Sequence, residues 1–321
     1  MSSFALSDRA RTARRLTEAA ARACAPWIGA SDKEAADAAA VDAMRSCLSD
    51  VGLAGTVVIG EGEKDDAPYL APGTEFGASA SEARVDVAVD PLEGTELVAS
   101  DAPGALSVLA LAPAGTMMRL GRAFYAEKLI GPPAAQSVLD LDAPPGRVVQ
   151  DVADAIDVRP GDVRVAVQKR PRHRGLVEAL RAAGAQVRLF AEGDLSFAIL
   201  ALQSRTEGAE ERGPSGRTGP IDLLWGIGGA PEGMLAAAAQ RAVGGAVRLR
   251  LAPRSEDERS RLYNDGSLPD VLGRTFSARD LVQTRNVVIA ITGVTDGPLL
   301  SGLRKDTDGI DTETLVLGPD S

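Results

Sequence analysis

The chain has 321 residues, 45% of them hydrophobic and 25% charged, a globular composition that excludes disordered, collagen-like and fibrous architectures. Its formal charge of −10, with no long basic stripe, excludes a surface built to neutralise nucleic-acid phosphates. No uncharged apolar run approaches the ~20 residues of a membrane-spanning helix, and the Arg- and Ala-rich start, interrupted by Asp8 and Glu18, lacks the apolar stretch of a signal peptide.

In chain order, residues 8–24 predict an amphipathic helix. Ser31-Asp32-Lys33-Glu34 then opens a second helix through residue 51, as a capping box does. The only two cysteines, Cys24 and Cys47, fall in these helices and read as buried reduced thiols, which points to the cytoplasm. Residues 55–60 read as a short buried strand, left by the acidic loop Glu61-Gly62-Glu63-Lys64-Asp65-Asp66. A second strand spans 84–90; Pro91 is expected to end it, and Gly94-Thr95 to start a helix. From residue 162 strands (163–168, 186–190, 221–227) alternate with helices (173–183, 194–202, 231–243), the pattern of a parallel α/β unit. Strands at 286–292 and 313–317 close the chain. With 141–146 as a linker and 204–220 as an exposed loop, two lobes are expected, 1–145 and 160–321.

Three acidic groups sit at predicted strand ends, where open α/β sheets bind their ligands. Glu61, Glu63, Asp65 and Asp66 repel one another, so a compact fold accepts them either as solvated surface or with a cation. Period-two alternation puts Asp86 and Asp90 on one face, and a turn at Pro91 can bring Glu93 beside Asp90. Oxygen ligands of this kind suit Mg²⁺ or Mn²⁺, and a single histidine excludes a His-rich zinc or iron site. The third group is Gly228-Gly229-Ala230-Pro231-Glu232-Gly233, between a strand and an Ala-rich helix. Pro231 stands where a dinucleotide loop needs its third small residue, so the Rossmann reading fails. Glu232 either complements the helix dipole or ligates a cation. Against these acids stands Lys169-Arg170-Pro171-Arg172-His173-Arg174, a solvated basic turn or a bidentate clamp for a phosphate remote from the metals. His173 alone does not make a general base.

From residue 5 to 317 the chain resembles the class II fructose-1,6-bisphosphatases, within the lithium-sensitive, metal-dependent sugar and inositol phosphatase superfamily. The resemblance rests on Asp90-Pro91-Leu92-Glu93-Gly94-Thr95, which marks the superfamily, and on Gly60-Glu61-Gly62-Glu63 and Gly228-Gly229-Ala230-Pro231-Glu232-Gly233, which narrow it to class II. Phe124-Tyr125-Ala126-Glu127-Lys128, Arg170-Pro171-Arg172-His173 and Glu192-Gly193-Asp194 match as well. It implies a layered α-β-α-β-α sandwich of two α/β lobes, the first binding metal and the second the sugar phosphate. It implies that Asp37, Glu61, Asp90, Glu93 and Glu232 hold Mg²⁺ or Mn²⁺. Lys33, Glu63, Asp65 and Thr95 would surround the reacting phosphate, with Glu63 or Thr95 orienting the water. Glu93, Gly94, Thr95, Tyr125, Arg170, Arg172, Glu192 and Asp194 would contact the substrate, the last five on the side of the sugar and its second phosphate. The implied reaction is hydrolysis of the 1-phosphate of fructose 1,6-bisphosphate to fructose 6-phosphate and phosphate, without a covalent enzyme intermediate. It also implies a gluconeogenic role and a homo-oligomer, without membrane or nucleic-acid partners.

The chain departs from the family pattern at Glu192, where an Asp is usual; at Glu96, where a neutral or basic residue is expected after Thr95; and at Pro298, which replaces an acid. The family's basic C-terminal extension is also missing. Drift on the substrate side motivates an alternative, a phosphatase for a heptulose or octose bisphosphate. A non-catalytic sugar-phosphate-binding protein is the rival from another class, opposed by the complete set of metal carboxylates.

Overall fold

The computed structural model describes residues 5–60, 70–77, 84–121, 123–204, 221–264, 271–307 and 309–319. Helix α1 (Leu6–Ala23) buries Ala13, Leu16, Thr17, Ala20 and Ala21, the spacing of one helical face. In α2 (Lys33–Asp50) the Asp32 carboxylate accepts the Ala35 N–H at 3.0 Å, so Asp32 is the cap. The chain continues through β1 (Ala54–Ile59), β2 (Glu75–Phe76), β3 (Arg84–Glu93), α3 (Thr95–Ala99), β4 (Leu106–Pro113) and β5 (Tyr125–Gly131). Next come α4 (Pro145–Ala155), β6 (Arg164–Gln168), α5 (Arg174–Ala182), β7 (Gln186–Phe190), α6 (Asp194–Leu202), β8 (Leu223–Gly229) and α7 (Ala230–Val243). The last elements are β9 (Ala246–Leu251), α8 (Glu256–Asn264), β10 (Thr275–Ser277), α9 (Ala278–Leu281), β11 (Val288–Gly293), β12 (Arg304–Lys305), β13 (Ile310–Asp311) and β14 (Thr314–Leu317).

Two compact units result, Met1–Arg119 with Val282–Ser321, and Leu120–Leu281. The first is built on a six-stranded sheet of order β14-β11-β4-β3-β1-β2, the second on one of order β10-β9-β5-β8-β6-β7. Each has its own apolar core, with Leu16, Met44, Val87 and Leu109 in the first and Leu129, Val149, Val165 and Trp225 in the second. Among the described residues no helix is long and apolar enough to cross a membrane.

These units differ from the lobes expected at 1–145 and 160–321. Residues 282–321 return to the first unit because every residue of β11 is buried and it pairs with β4 on one side and β14 on the other; such a strand needs neighbours on both edges. The expected linker at 141–146 runs into α4, with Pro145 at the first helical position, where its missing N–H costs nothing. The second sheet is mixed: β6 pairs parallel with β7 and β8, whereas β5 is antiparallel to β8 and β9. Pro91 does not end its strand. Asp90 lies opposite Val108 and Glu93 opposite Leu106, so one extra residue is accommodated as a bulge, where proline forfeits no ladder bond.

Candidate active site

In the first unit the bulge of β3 sets the local geometry. Asp90 Oδ1 accepts the Leu92 N–H at 3.2 Å, Glu93 is buried, and Gly94 turns the chain with φ 85°, a left-handed conformation that a side chain would resist. Thr95 then begins α3. Asp86, which alternation places on the face of Asp90, plays a structural part instead. Its Oδ2 accepts the Thr116 and Met117 N–H groups at 2.8 and 2.9 Å and fastens the turn after β4. Lys33 starts α2 and Asp37 lies one turn further on. Lys33 Nζ meets Glu96 Oε1 at 2.5 Å, so the unusual acid after Thr95 is drawn to the very lysine expected near the reacting phosphate. Both cysteines are free and buried, in line with reduced thiols; burial, helped by Asp37, pushes the Cys24 thiol up to about 12.

Glu61, Glu63 and Asp65 lie outside the described residues. Among the described residues no three His, Cys, Asp or Glu side chains converge as a metal cage. The assigned metal acids therefore divide, with Asp37, Asp90 and Glu93 in the first unit and Glu232 in the second.

The second unit gathers every remaining predicted residue. Arg170 Nη2 approaches Glu192 Oε1 at 3.4 Å. Arg172 directs Nε and Nη2 at the Ile227 carbonyl, at 2.9 and 2.7 Å, and lies 5.5 Å from the centre of the Tyr125 ring. Neither arginine is simply a solvated turn residue. His173 is buried as a clasp: its Nε2 accepts the Ile227 N–H at 2.8 Å, so Nδ1 carries the hydrogen and donates to the Gln168 carbonyl at 2.7 Å. It joins the ends of β6 and β8 and is not a general base. Burial lowers its basicity, so its contribution to stability is present above its ordinary pKa of 6.5 and is lost as acid titrates it. Replacing His173 by Ala leaves two part-buried backbone groups without this partner, and a destabilisation of roughly 1–3 kcal/mol in all is expected in urea titrations; an unchanged midpoint would refute the clasp.

At the end of β8, Gly229 leads into α7 and Glu232 folds back over it. Glu232 Oε2 is buried with no hydrogen-bond partner, and burial pushes this carboxyl above the usual range, Asp194 acting in the same direction and Lys128 against it. Lys128 itself, to which the sequence assigns no role, is buried on β5. Its ammonium pairs with Asp194 and donates to the Gly229 carbonyl at 2.9 Å. The one sequence signal that could have found it is Gly228, whose missing side chain leaves room for the Lys128 and Asp194 head groups. A surface groove of about 520 Å³ between α1 and α2 contains several arginines but none of the predicted site residues.

The profile of a family described as "Bacterial fructose-1,6-bisphosphatase, glpX-encoded" matches residues 8–321. The chain is 36% identical over 328 residues to a D-fructose 1,6-bisphosphatase class 2/sedoheptulose 1,7-bisphosphatase 1 of Acaryochloris marina (strain MBIC 11017), covering 95% of this chain and 90% of that protein. It is 37% identical, at the same coverages, to a D-fructose 1,6-bisphosphatase class 2/sedoheptulose 1,7-bisphosphatase of Synechococcus sp. (strain JA-3-3Ab). A fructose-1,6-bisphosphatase 1 class 2 of Escherichia coli (strain K12) is 36% identical, covering 94% of this chain and 89% of that protein.

Proposed function

The chain belongs to the bacterial class 2 fructose-1,6-bisphosphatase family and is a phosphoric monoester hydrolase of carbohydrate metabolism, and from that premise we propose that it removes the 1-phosphate of fructose 1,6-bisphosphate with Mg²⁺ or Mn²⁺ bound. The observation that supports the metal is Glu232 Oε2, a buried carboxylate oxygen without a donor. Such an oxygen is costly unless a cation completes it, and an all-oxygen donor set suits a hard divalent ion.

Asp37, Asp90, Glu93 and Glu232, with Glu61, are the residues that would hold the ions. When bound, these ions neutralise the phosphoryl oxygens and the leaving alkoxide. The chain's own groups do the positioning. Lys33 and Thr95, at the starts of α2 and α3, hold the reacting phosphate, and Thr95 or Glu63 orients the attacking water. Tyr125, Arg170 and Arg172 hold the second phosphate; the bonds of Arg172 to Ile227 fix its guanidinium plane and leave Nη1 for an anion. Glu192 and Asp194 accept hydroxyls of the sugar. The two free cysteines accord with a reducing compartment, the cytoplasm.

A second reading, hydrolysis of a heptulose bisphosphate, is favoured by the double names of two relatives and by Glu192, whose pairing with Arg170 changes the sugar side. A phosphate-release assay tests both. Fructose 1,6-bisphosphate is expected to be hydrolysed, sedoheptulose 1,7-bisphosphate to be a comparable or weaker substrate, and both activities to vanish in EDTA and return with Mn²⁺ or Mg²⁺. Full release in excess EDTA would defeat the metal role, and no release from either bisphosphate would defeat the substrate class.

A further inference from the structure

Lys128 is a buried cation set among parts of the proposed sugar-phosphate site. Its side chain is 3% exposed, so it cannot present its ammonium to a substrate. It is committed inward, to the Asp194 carboxylate at the start of α6 and to the Gly229 carbonyl at the end of β8. The glycines around it have this arrangement as their reason. A Cβ on Gly228 would lie 2.5 Å from Asp194 Oδ2 and 2.9 Å from Lys128 Nζ, and one on Gly233 would lie 2.3 Å from Leu249 Cδ1 and 3.3 Å from Lys128 Cδ. The Gly-Gly-Ala-Pro-Glu-Gly segment is therefore shaped around a lysine that comes from a different strand.

We infer that Lys128 is a positioning residue for substrate: its buried ammonium cancels the charge of Asp194 and fixes that carboxylate, so that Asp194 accepts sugar hydroxyls without repelling the phosphates of the same ligand. The inference rests on the sugar-phosphatase reading and deepens it. An uncompensated Asp194 would oppose every anionic substrate, because Coulomb repulsion grows as water is excluded. A neutral Lys–Asp pair keeps the acceptor and removes the repulsion. The same bond network ties α6 to the turn that carries Glu232.

The test measures binding of fructose 6-phosphate, and separately of inorganic phosphate, by calorimetry in EDTA, so that no metal enters the readout. Wild type is compared with Lys128→Met, Asp194→Asn and the double variant, with melting temperatures recorded. Lys128→Met is expected to weaken fructose 6-phosphate at least tenfold while changing inorganic phosphate less than twofold; a lobe that had merely loosened would lose both. The double variant, which leaves neither member of the Lys128–Asp194 pair as a lone buried charge and keeps an amide oxygen as acceptor, is expected to bind better than either single variant. Unaltered fructose 6-phosphate binding by Lys128→Met, or a double variant whose loss equals the product of the single losses, would overturn the inference. If the single variants do not fold, the double variant decides: affinity within tenfold of wild type supports the pair, and weaker binding overturns it. A wild-type chain that neither binds fructose 6-phosphate nor hydrolyses a bisphosphate defeats the underlying reading instead.

Discussion

Glu232→Gln is expected to lower kcat by ~10²–10³-fold, the scale seen when one preorganised electrostatic group is removed from an active site. The substitution keeps the shape of the side chain and deletes its charge. In the metal-free protein that charge is a burden, because Oε2 is buried without a donor and burial disfavours the ionised form. The melting temperature measured in EDTA should therefore be equal to or higher than that of the parent. Activity and stability are predicted to move in opposite directions, and Mn²⁺ should raise the melting temperature of the variant less than that of the parent. A variant with parental kcat at saturating metal would remove Glu232 from the ligand set.

Gly229→Ala is expected to cost activity on the order of 10²-fold without deleting any functional group, as a misplacement of about 1 Å can. The added methyl would lie 1.7 Å from Glu232 Oε2 and 2.4 Å from its carboxyl carbon. The backbone at 229, φ −63° and ψ 137°, suits alanine, so the strain falls on the carboxylate, which must swing away. Steady-state kinetics with a parallel circular-dichroism melt separates this from unfolding. Retention of kcat within twofold would mean that the position of Glu232 against Gly229 is not the one used in turnover.

The parts of the site that are legible in the sequence are those carried by contiguous motifs. Asp90-Pro91-Leu92-Glu93-Gly94-Thr95 announces a strand and a helix start, and the chain supplies both, with the turn at Gly94 rather than at Pro91. The turn that carries Glu232 is likewise legible, from a strand followed by glycines and an alanine-rich helix. What escapes has a common cause, which is that the partner lies far away along the chain. Lys128 and Asp194 are 66 residues apart, and on β5 the lysine occupies a strand position whose neighbours give no hint of a buried acid. Asp86 looks like a ligand until Thr116 and Met117, in the turn after β4, donate to its Oδ2. The proline at 91 reads as a terminator because sequence shows the missing N–H and not the bulge that makes its absence harmless. Strands β5 and β9 escape as well, and with them the antiparallel half of the second sheet. The regular alternation of strands and helices after residue 162 covers only part of it.

The return of β11 to the first sheet also bears on how the chain is made. While a ribosome delivers it, β4 is complete some 170 residues before β11, its neighbour on the side away from β3, emerges, a wait of about 10–35 s at ordinary elongation rates. During that interval the apolar edge of β4, a run of Leu, Val and Ala, has unsatisfied main-chain groups of the kind that recruit other strands. The intervening unit can fold on schedule, since all its strands lie between Tyr125 and Ser277. The nascent protein therefore passes through a stage with one finished globule and one open sheet, and a pulse-labelled chain stalled before residue 288 should be the species that chaperones hold and proteases cut.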